Sequence, residues 1–288
     1  MKILVTGATG TVGSALVAEL LRRDVAVRAF SRKPPAPGRL PQSVEHVSGD
    51  LLEPDSFSRA LDGIDALFLL NAVSPSELTQ ALIALTCARR AGIKRLVYLS
   101  VYAVDRFPGV PHFASKAAVE RALADSSLDF TILRPGYFFQ NDARLKPLLT
   151  GPGVYPIPIG SAGMAAVDVR DIAEAAALCL TAPGHAGKTY SLAAPDGLTG
   201  PGAAALWSEV LARPVQYPGE NFDEFERQLR AQSTPAWLAF DLRVMFQSYV
   251  ERGFAPTPDA VKEFELLLAH PPRPYSAFAA ESARAWRG

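Results

Sequence analysis

Residues 2–13 read Lys2-Ile3-Leu4-Val5-Thr6-Gly7-Ala8-Thr9-Gly10-Thr11-Val12-Gly13, and this stretch decides the fold. Ile3, Leu4 and Val5 form a short apolar run suited to a buried parallel strand. Glycines follow at every third position, Gly7, Gly10 and Gly13. Behind them Val12, Leu16, Val17, Leu20 and Leu21 recur at helical spacing. Strand, glycine turn and helix in that order predict a dinucleotide-binding unit. Gly7 allows the sharp exit from the strand, Gly10 lets the backbone approach a pyrophosphate, and Gly13 lets the helix pack close to the sheet. Thr9, Thr11 and Val12 complete the predicted phosphate contact, where the helix start presents unpaired N–H groups and a partial positive charge.

Outward from this turn, strand and helix patterns alternate. Strands are predicted over Val25–Phe30, Val44–Val47, Asp65–Leu70, Leu96–Leu99 and Phe130–Leu133, and helices over Ser56–Leu61, Ser76–Ala91 and Ala114–Ala124. Arg32–Pro41, rich in proline and basic residues, reads as a loop. Such alternation requires right-handed crossovers and gives an α/β fold, a doubly wound parallel sheet. Ligands of such sheets lie beyond the carboxyl ends of the strands. After Arg134 the texture changes. Thr150–Gly163 is rich in Gly and Pro, Asp168–Leu180 reads as a helix and Thr189–Ala193 as a strand. From Pro201 onward the pattern is mostly helical. The reading therefore divides the chain into a nucleotide-binding core, 1–150, and a part, 151–288, that completes the core and forms a small, mostly helical substrate-covering lobe.

Composition narrows the function. The chain has 288 residues, 49% apolar and 20% charged, enough for an ordinary core. Lys plus Arg and Asp plus Glu both number 29, so no basic footprint for nucleic acid or anionic lipid exists. No apolar run reaches the roughly 18 residues of a membrane span. Cys87 and Cys179 stand alone in apolar helical settings and read as core. The four histidines are scattered, and no metal site is expected. The expectation is a cytoplasmic protein, monomer or homodimer, acting on a small molecule.

The residue after the second strand reads the adenosine ribose; an acid there favours NAD and a cation NADP. This chain has Ser31-Arg32-Lys33, so NADP is expected, with Arg32 pairing bidentately with the 2′-phosphate. Asp50, followed by Leu51 after the third strand, is placed to accept from the adenine amino group. Asn71 and Ala72, ending the fourth strand, would lie near the ribose and nicotinamide; Asn71 equally suits a turn cap.

These residues, with Tyr98-Leu99-Ser100, Arg134-Pro135-Gly136-Tyr137-Phe138-Phe139-Gln140-Asn141 and the tail Leu267–Phe278, resemble the NmrA-like, atypical branch of the short-chain dehydrogenase/reductase superfamily. The resemblance spans nearly the whole chain and implies a Rossmann fold, NADPH, and Pro135, Tyr137 and Phe138 beside the cofactor. It implies a catalytic serine at Ser100, although Val101 stands where the family often has a second. It also implies a lysine, Lys116, on the nicotinamide ribose. The family's usual tyrosine, four residues earlier, is His112 here. Spacing of four puts both side chains on one helix face if the helix already includes His112. Two readings stand. Either His112 donates the proton, or it is a bystander and water, a substrate hydroxyl or Tyr102 does so.

Without the tyrosine, hydride transfer to an electron-poor conjugated acceptor is favoured over alcohol dehydrogenation: a quinone, iminium, enone or ketone. Phe107, Tyr102, Phe138, Phe139 and Trp207 are the predicted apolar lining for such a flat molecule. The expectation is an NADPH-dependent reductase; a non-catalytic NADP-sensing protein is the alternative.

Overall fold

Strand β1 (Lys2–Thr6) is buried from its second residue on, and it is an interior strand, third in a seven-stranded sheet. The order is β3-β2-β1-β4-β5-β6-β9, with β2 (Ala26–Ser31), β3 (Glu45–Ser48), β4 (Ala66–Leu69), β5 (Arg95–Leu99), β6 (Phe130–Pro135) and β9 (Lys188–Leu192). β1 pairs in parallel with both β2 and β4, and the pairs β2–β3, β4–β5 and β5–β6 are parallel too. The order reverses between β1 and β4, so a crevice opens at the carboxyl ends of those strands. The computed structural model describes residues 1–287.

Alternate strand residues fill two core layers, as the two-residue period requires. Leu4, Leu67, Leu69, Leu96, Tyr98 and Ile132 face helices α2 (Pro54–Ala60), α3 (Glu77–Arg90) and α4 (Pro111–Ala124). The opposite face carries α1 (Thr11–Arg22) against α6 (Val169–Thr181), and α6 also packs on β4 and β5. Cys87 and Cys179 are buried thiols on α3 and α6.

The chain forms two compact units, and residue 150 does not separate them. The first comprises Met1–Val104, His112–Arg134 and Val169–Tyr190; the second comprises Asp105–Pro111, Pro135–Asp168 and the chain from Ser191. The physical reason is the apolar face of α6: Ile172, Ala173, Ala176, Ala177 and Leu180 are buried and need the sheet beneath them. That helix belongs to the first unit although it follows residue 150.

In the second unit β7 (Tyr137–Phe138) pairs in parallel with β8 (Ala166–Val167). Two residues each are too short for a periodic signal, so the sequence reading misses both. Helices α5 (Lys146–Thr150), α7 (Gly200–Leu211), α8 (Phe222–Ala231), α9 (Ala236–Arg252), α10 (Pro258–Leu268) and α11 (Tyr275–Arg287) make up the rest, with α7 packed on α11 and α8 on α9. No helix among the described residues is long and apolar enough to cross a membrane.

Candidate functional site

The glycine turn has the geometry expected of it. Gly7 takes φ +64°, a left-handed conformation that disfavours side chains. Its carbonyl receives the Gly10 N–H at 2.9 Å, closing the turn. A Cβ on Gly13 would lie 2.1 Å from that same carbonyl oxygen, so α1 rests on the turn only because residue 13 is glycine. No side chain caps α1 and no acid lies in its first turn. The amides of Thr11, Val12 and Gly13 thus head a helix dipole open to an anion.

Thr6 ties this turn to the next strand. Its hydroxyl donates to the Leu70 carbonyl (2.9 Å) and accepts from the Leu70 N–H (2.8 Å). Asn71 follows directly, at the carboxyl end of β4. Its side chain is buried, and neither Oδ1 nor Nδ2 has a hydrogen-bond partner. A buried amide left unpaired costs about 1–3 kcal/mol, so a ligand carrying both a donor and an acceptor suits this place. The turn-cap reading of Asn71 therefore fails, and Ala72 beside it is exposed. The residues fit a pyridine dinucleotide: a glycine cradle, an uncapped helix start and an orphaned amide converge at the reversal of strand order.

Helix α4 starts at Pro111, three residues before the predicted Ala114, because proline is well tolerated in a first helical turn. The start brings His112 into the helix, one turn before Lys116. His112 is half-buried and its ring meets Phe113 edge-on at 4.7 Å. Lys116 is buried, not solvated. Its Nζ lies 2.8 Å from Glu77 Oε1, donates to the Leu99 carbonyl (3.3 Å) and sits 5.6 Å from the Tyr98 ring centre. Burial alone would lower its pKa, but the Tyr98 oxygen and the carboxylates of Glu77 and Glu120 outweigh burial and hold it above the ordinary lysine value. Burial pushes the Tyr98 phenol up to about 12, so it stays neutral.

Ser100 corrects an expectation. It is buried, and its hydroxyl donates to Glu120, which also pairs with Arg134 (Nε to Oε1, 3.0 Å). Its proton is committed to a buried carboxylate, so Ser100 is part of the fold's polar interior rather than a group that orients substrate. Glu77 and Glu120 escaped the sequence reading. Both read as ordinary helix-surface acids, and only the close approach of α3, α4 and the sheet puts them inside.

Around β2, Arg32 and Lys33 are exposed, whereas the Ser31 hydroxyl donates to the Lys33 carbonyl (2.7 Å) and meets His46 Nε2 at 2.9 Å. Ser31 shapes the loop, and both cations stand on its surface. Asp50 Oδ1 accepts from the Leu52 N–H (2.9 Å), and Leu51 packs on the core edge. Arg39, which the sequence reading passed over as loop, reaches back to the Thr9 carbonyl (2.8 Å) in the glycine turn.

In the second unit most of the predicted aromatic lining is core. Trp207 is 0% exposed, stacks on Trp286 at 5.0 Å and donates to the Tyr275 hydroxyl (2.9 Å). Phe107 is wedged between Tyr249 and Phe254, and Phe139 between Tyr275 and Phe278. Tyr102, in the first unit, is buried as well. All four are buried; aromatic rings at helix spacing most often pack against each other, as here. Pro135 is buried, and the Tyr137 hydroxyl donates to Asp142 (2.6 Å), while Phe138 remains half-buried. Asp142 is the unforeseen centre of this unit: it also accepts from Tyr155 (3.0 Å) and Tyr275.

The strand order and the glycine turn define a dinucleotide-binding α/β protein of the Rossmann type. Residues 1–263 match the NmrA-like family, and the chain belongs to it. It is 32% identical over 286 residues to the (4-alkanoyl-5-oxo-2,5-dihydrofuran-3-yl)methyl phosphate reductase of Streptomyces griseus, covering 99% of each. It is 28% identical to the NAD(P)H azoreductase of Xenophilus azovorans, again over 99% of each. Among solved structures, the NADPH-dependent quinone oxidoreductase QOR2 of Escherichia coli, complexed with NADPH, matches with a TM-score of 0.86 at 26% identity, covering 99% of this chain and 100% of that one.

Proposed function

We propose that this chain, an NAD(P)H-dependent oxidoreductase, uses NADPH to reduce a small aromatic or conjugated acceptor such as a quinone, iminium, enone or ketone. The observation that carries the reading is the unsatisfied Asn71 amide at the carboxyl end of β4, together with the buried Lys116 ammonium at the end of β5. The relatives support the choice of acceptor: a 5-oxo-2,5-dihydrofuran, an azo compound and a quinone are all electron-poor π systems.

The amides of Thr11–Gly13 hold the diphosphate, Arg32 the 2′-phosphate and Lys116 the nicotinamide ribose. When bound, the reduced nicotinamide supplies the hydride. Asn71 gives the cofactor's polar edge both a donor and an acceptor. Lys116, held charged by Glu77, does not release a proton near neutral pH, so His112, one turn away on the same helix face, gives the proton to the reduced acceptor.

Two results are expected. Arg32→Ala should weaken NADPH binding about tenfold or more while leaving NADH nearly unchanged; equal losses in a fluorescence titration would contradict the 2′-phosphate assignment. His112→Phe should lower kcat about a hundredfold with little change in NADPH affinity; a kcat within about twofold of native would remove His112 as donor. The whole reading is tested by mixing the protein with NADPH and a panel of quinones, imines and enones and following the nicotinamide absorbance. Nucleotide binding without turnover across the panel would favour a redox sensor instead.

A further inference from the structure

We propose that Glu77 is the positioning residue of this site: its carboxylate fixes the direction and the charge of the Lys116 ammonium. The inference rests on the reading of Lys116 as a cofactor contact and extends it to a residue that touches no ligand.

Glu77 opens α3 and is 1% exposed; Lys116, on α4, is 7% exposed. The two meet at 2.8 Å, and neither Glu77 oxygen accepts a hydrogen bond from any other group. Glu77 thus has no second partner that would explain its burial. A buried ion pair contributes little net stability, since desolvation offsets much of the attraction. Its effect lies in placement: a lysine side chain is long and flexible, and here its head is pinned between the start of α3 and the end of β5.

The groups facing this ammonium come from four elements. β5 gives Tyr98 and the Leu99 carbonyl, α3 gives Glu77 and α4 gives Glu120. β6 contributes Arg134, which pairs with Glu120. Glu120 is therefore matched by Arg134, and Glu77 is the carboxylate matched to Lys116. Without Glu77, one of the groups that oppose burial is gone and the ammonium loses its proton more readily.

The test is Glu77→Gln, which keeps the shape and removes the charge. Its first readout needs no cofactor: the titration of Lys116 followed by ¹³C NMR at Cε, assigned by comparison with Lys116→Met. Native Lys116 should titrate above an ordinary exposed lysine, and in Glu77→Gln lower than in the native protein. The second readout is NADPH affinity by fluorescence. Glu77→Gln should bind about tenfold more weakly near pH 9, with a smaller deficit near pH 6.5. Lys116→Met should be equally weak at both. If Glu77→Gln fails to fold, the apolar pair Glu77→Leu with Lys116→Met decides: it should bind NADPH as Lys116→Met does alone. An unchanged Lys116 titration, or a double variant weaker than Lys116→Met, would overturn the proposal. A native protein that binds no NADPH would sink the nucleotide reading and this inference together, whereas native binding with normal Glu77→Gln behaviour would sink this inference alone.

Discussion

Gly13→Ala should abolish measurable NADPH binding and destabilise the protein by several kcal/mol, on the order of 3 or more. The added Cβ would sit 2.1 Å from the Gly7 carbonyl oxygen, 2.6 Å from its carbon and 2.8 Å from Ala8 Cα. All three are backbone atoms of the turn, so no side-chain rotation relieves the overlap. Either α1 lifts away from β1, exposing Leu16, Val17 and Leu20, or the turn opens and its amides lose their aim. The contrast is Gly10→Ala, whose Cβ would stand 3.2 Å from the Gly7 oxygen, a contact that a small shift accommodates. That variant should fold nearly as well as native and lose affinity chiefly through approach to the diphosphate. Thermal melting and calorimetric titration of both variants separate the two effects. A Gly13→Ala protein with native melting and native affinity would mean that α1 does not rest on the turn.

Asp142 carries the second large effect, on stability and its pH dependence. Burial, the dominant cause, raises its pKa to about 6, although hydrogen bonds from Tyr137, Tyr275 and Tyr155 pull the other way. The folded carboxyl thus keeps its proton to higher pH than the unfolded one, whose ordinary value is 3.8. Its contribution to stability is complete below about pH 4 and is lost as pH rises to about 6, a change of about 3 kcal/mol for a shift of about two units. Asp142→Asn lacks this titration. Denaturant unfolding should therefore show the variant gaining on the native protein by about 3 kcal/mol between about pH 4 and pH 7. A difference that stays flat across that range would refute the assignment. Asp142→Leu removes the shared acceptor of three buried tyrosine hydroxyls and should cost about 4 kcal/mol near pH 4, a cost that shrinks toward pH 7 because the variant also lacks the titration.

Local sequence carried the glycine turn, the strand and helix alternation and the basic residues after β2, because each is set by spacing along a few neighbouring positions. Asn71 and Lys116 are expected cofactor contacts from the sequence, Asn71 because it ends an apolar strand and Lys116 because the family resemblance implies it. The errors share a cause. Ser100, Trp207, Phe107, Phe139 and Tyr102 are residue types common in active sites and equally common in cores. Which of the two applies depends on partners far along the chain, such as Glu120 for Ser100 and Tyr249 for Phe107.

The sequence by itself determined that the chain would build a doubly wound sheet with a phosphate cradle at its first turn. Backbone conformation and hydrophobic period are local properties, and residues 2–21 display both. Tertiary structure alone decided which polar groups lie buried and against what. Glu77, Glu120 and Asp142 carry no local sign of burial, and their partners Lys116, Arg134 and Tyr275 arrive from other elements through packing that no local pattern records.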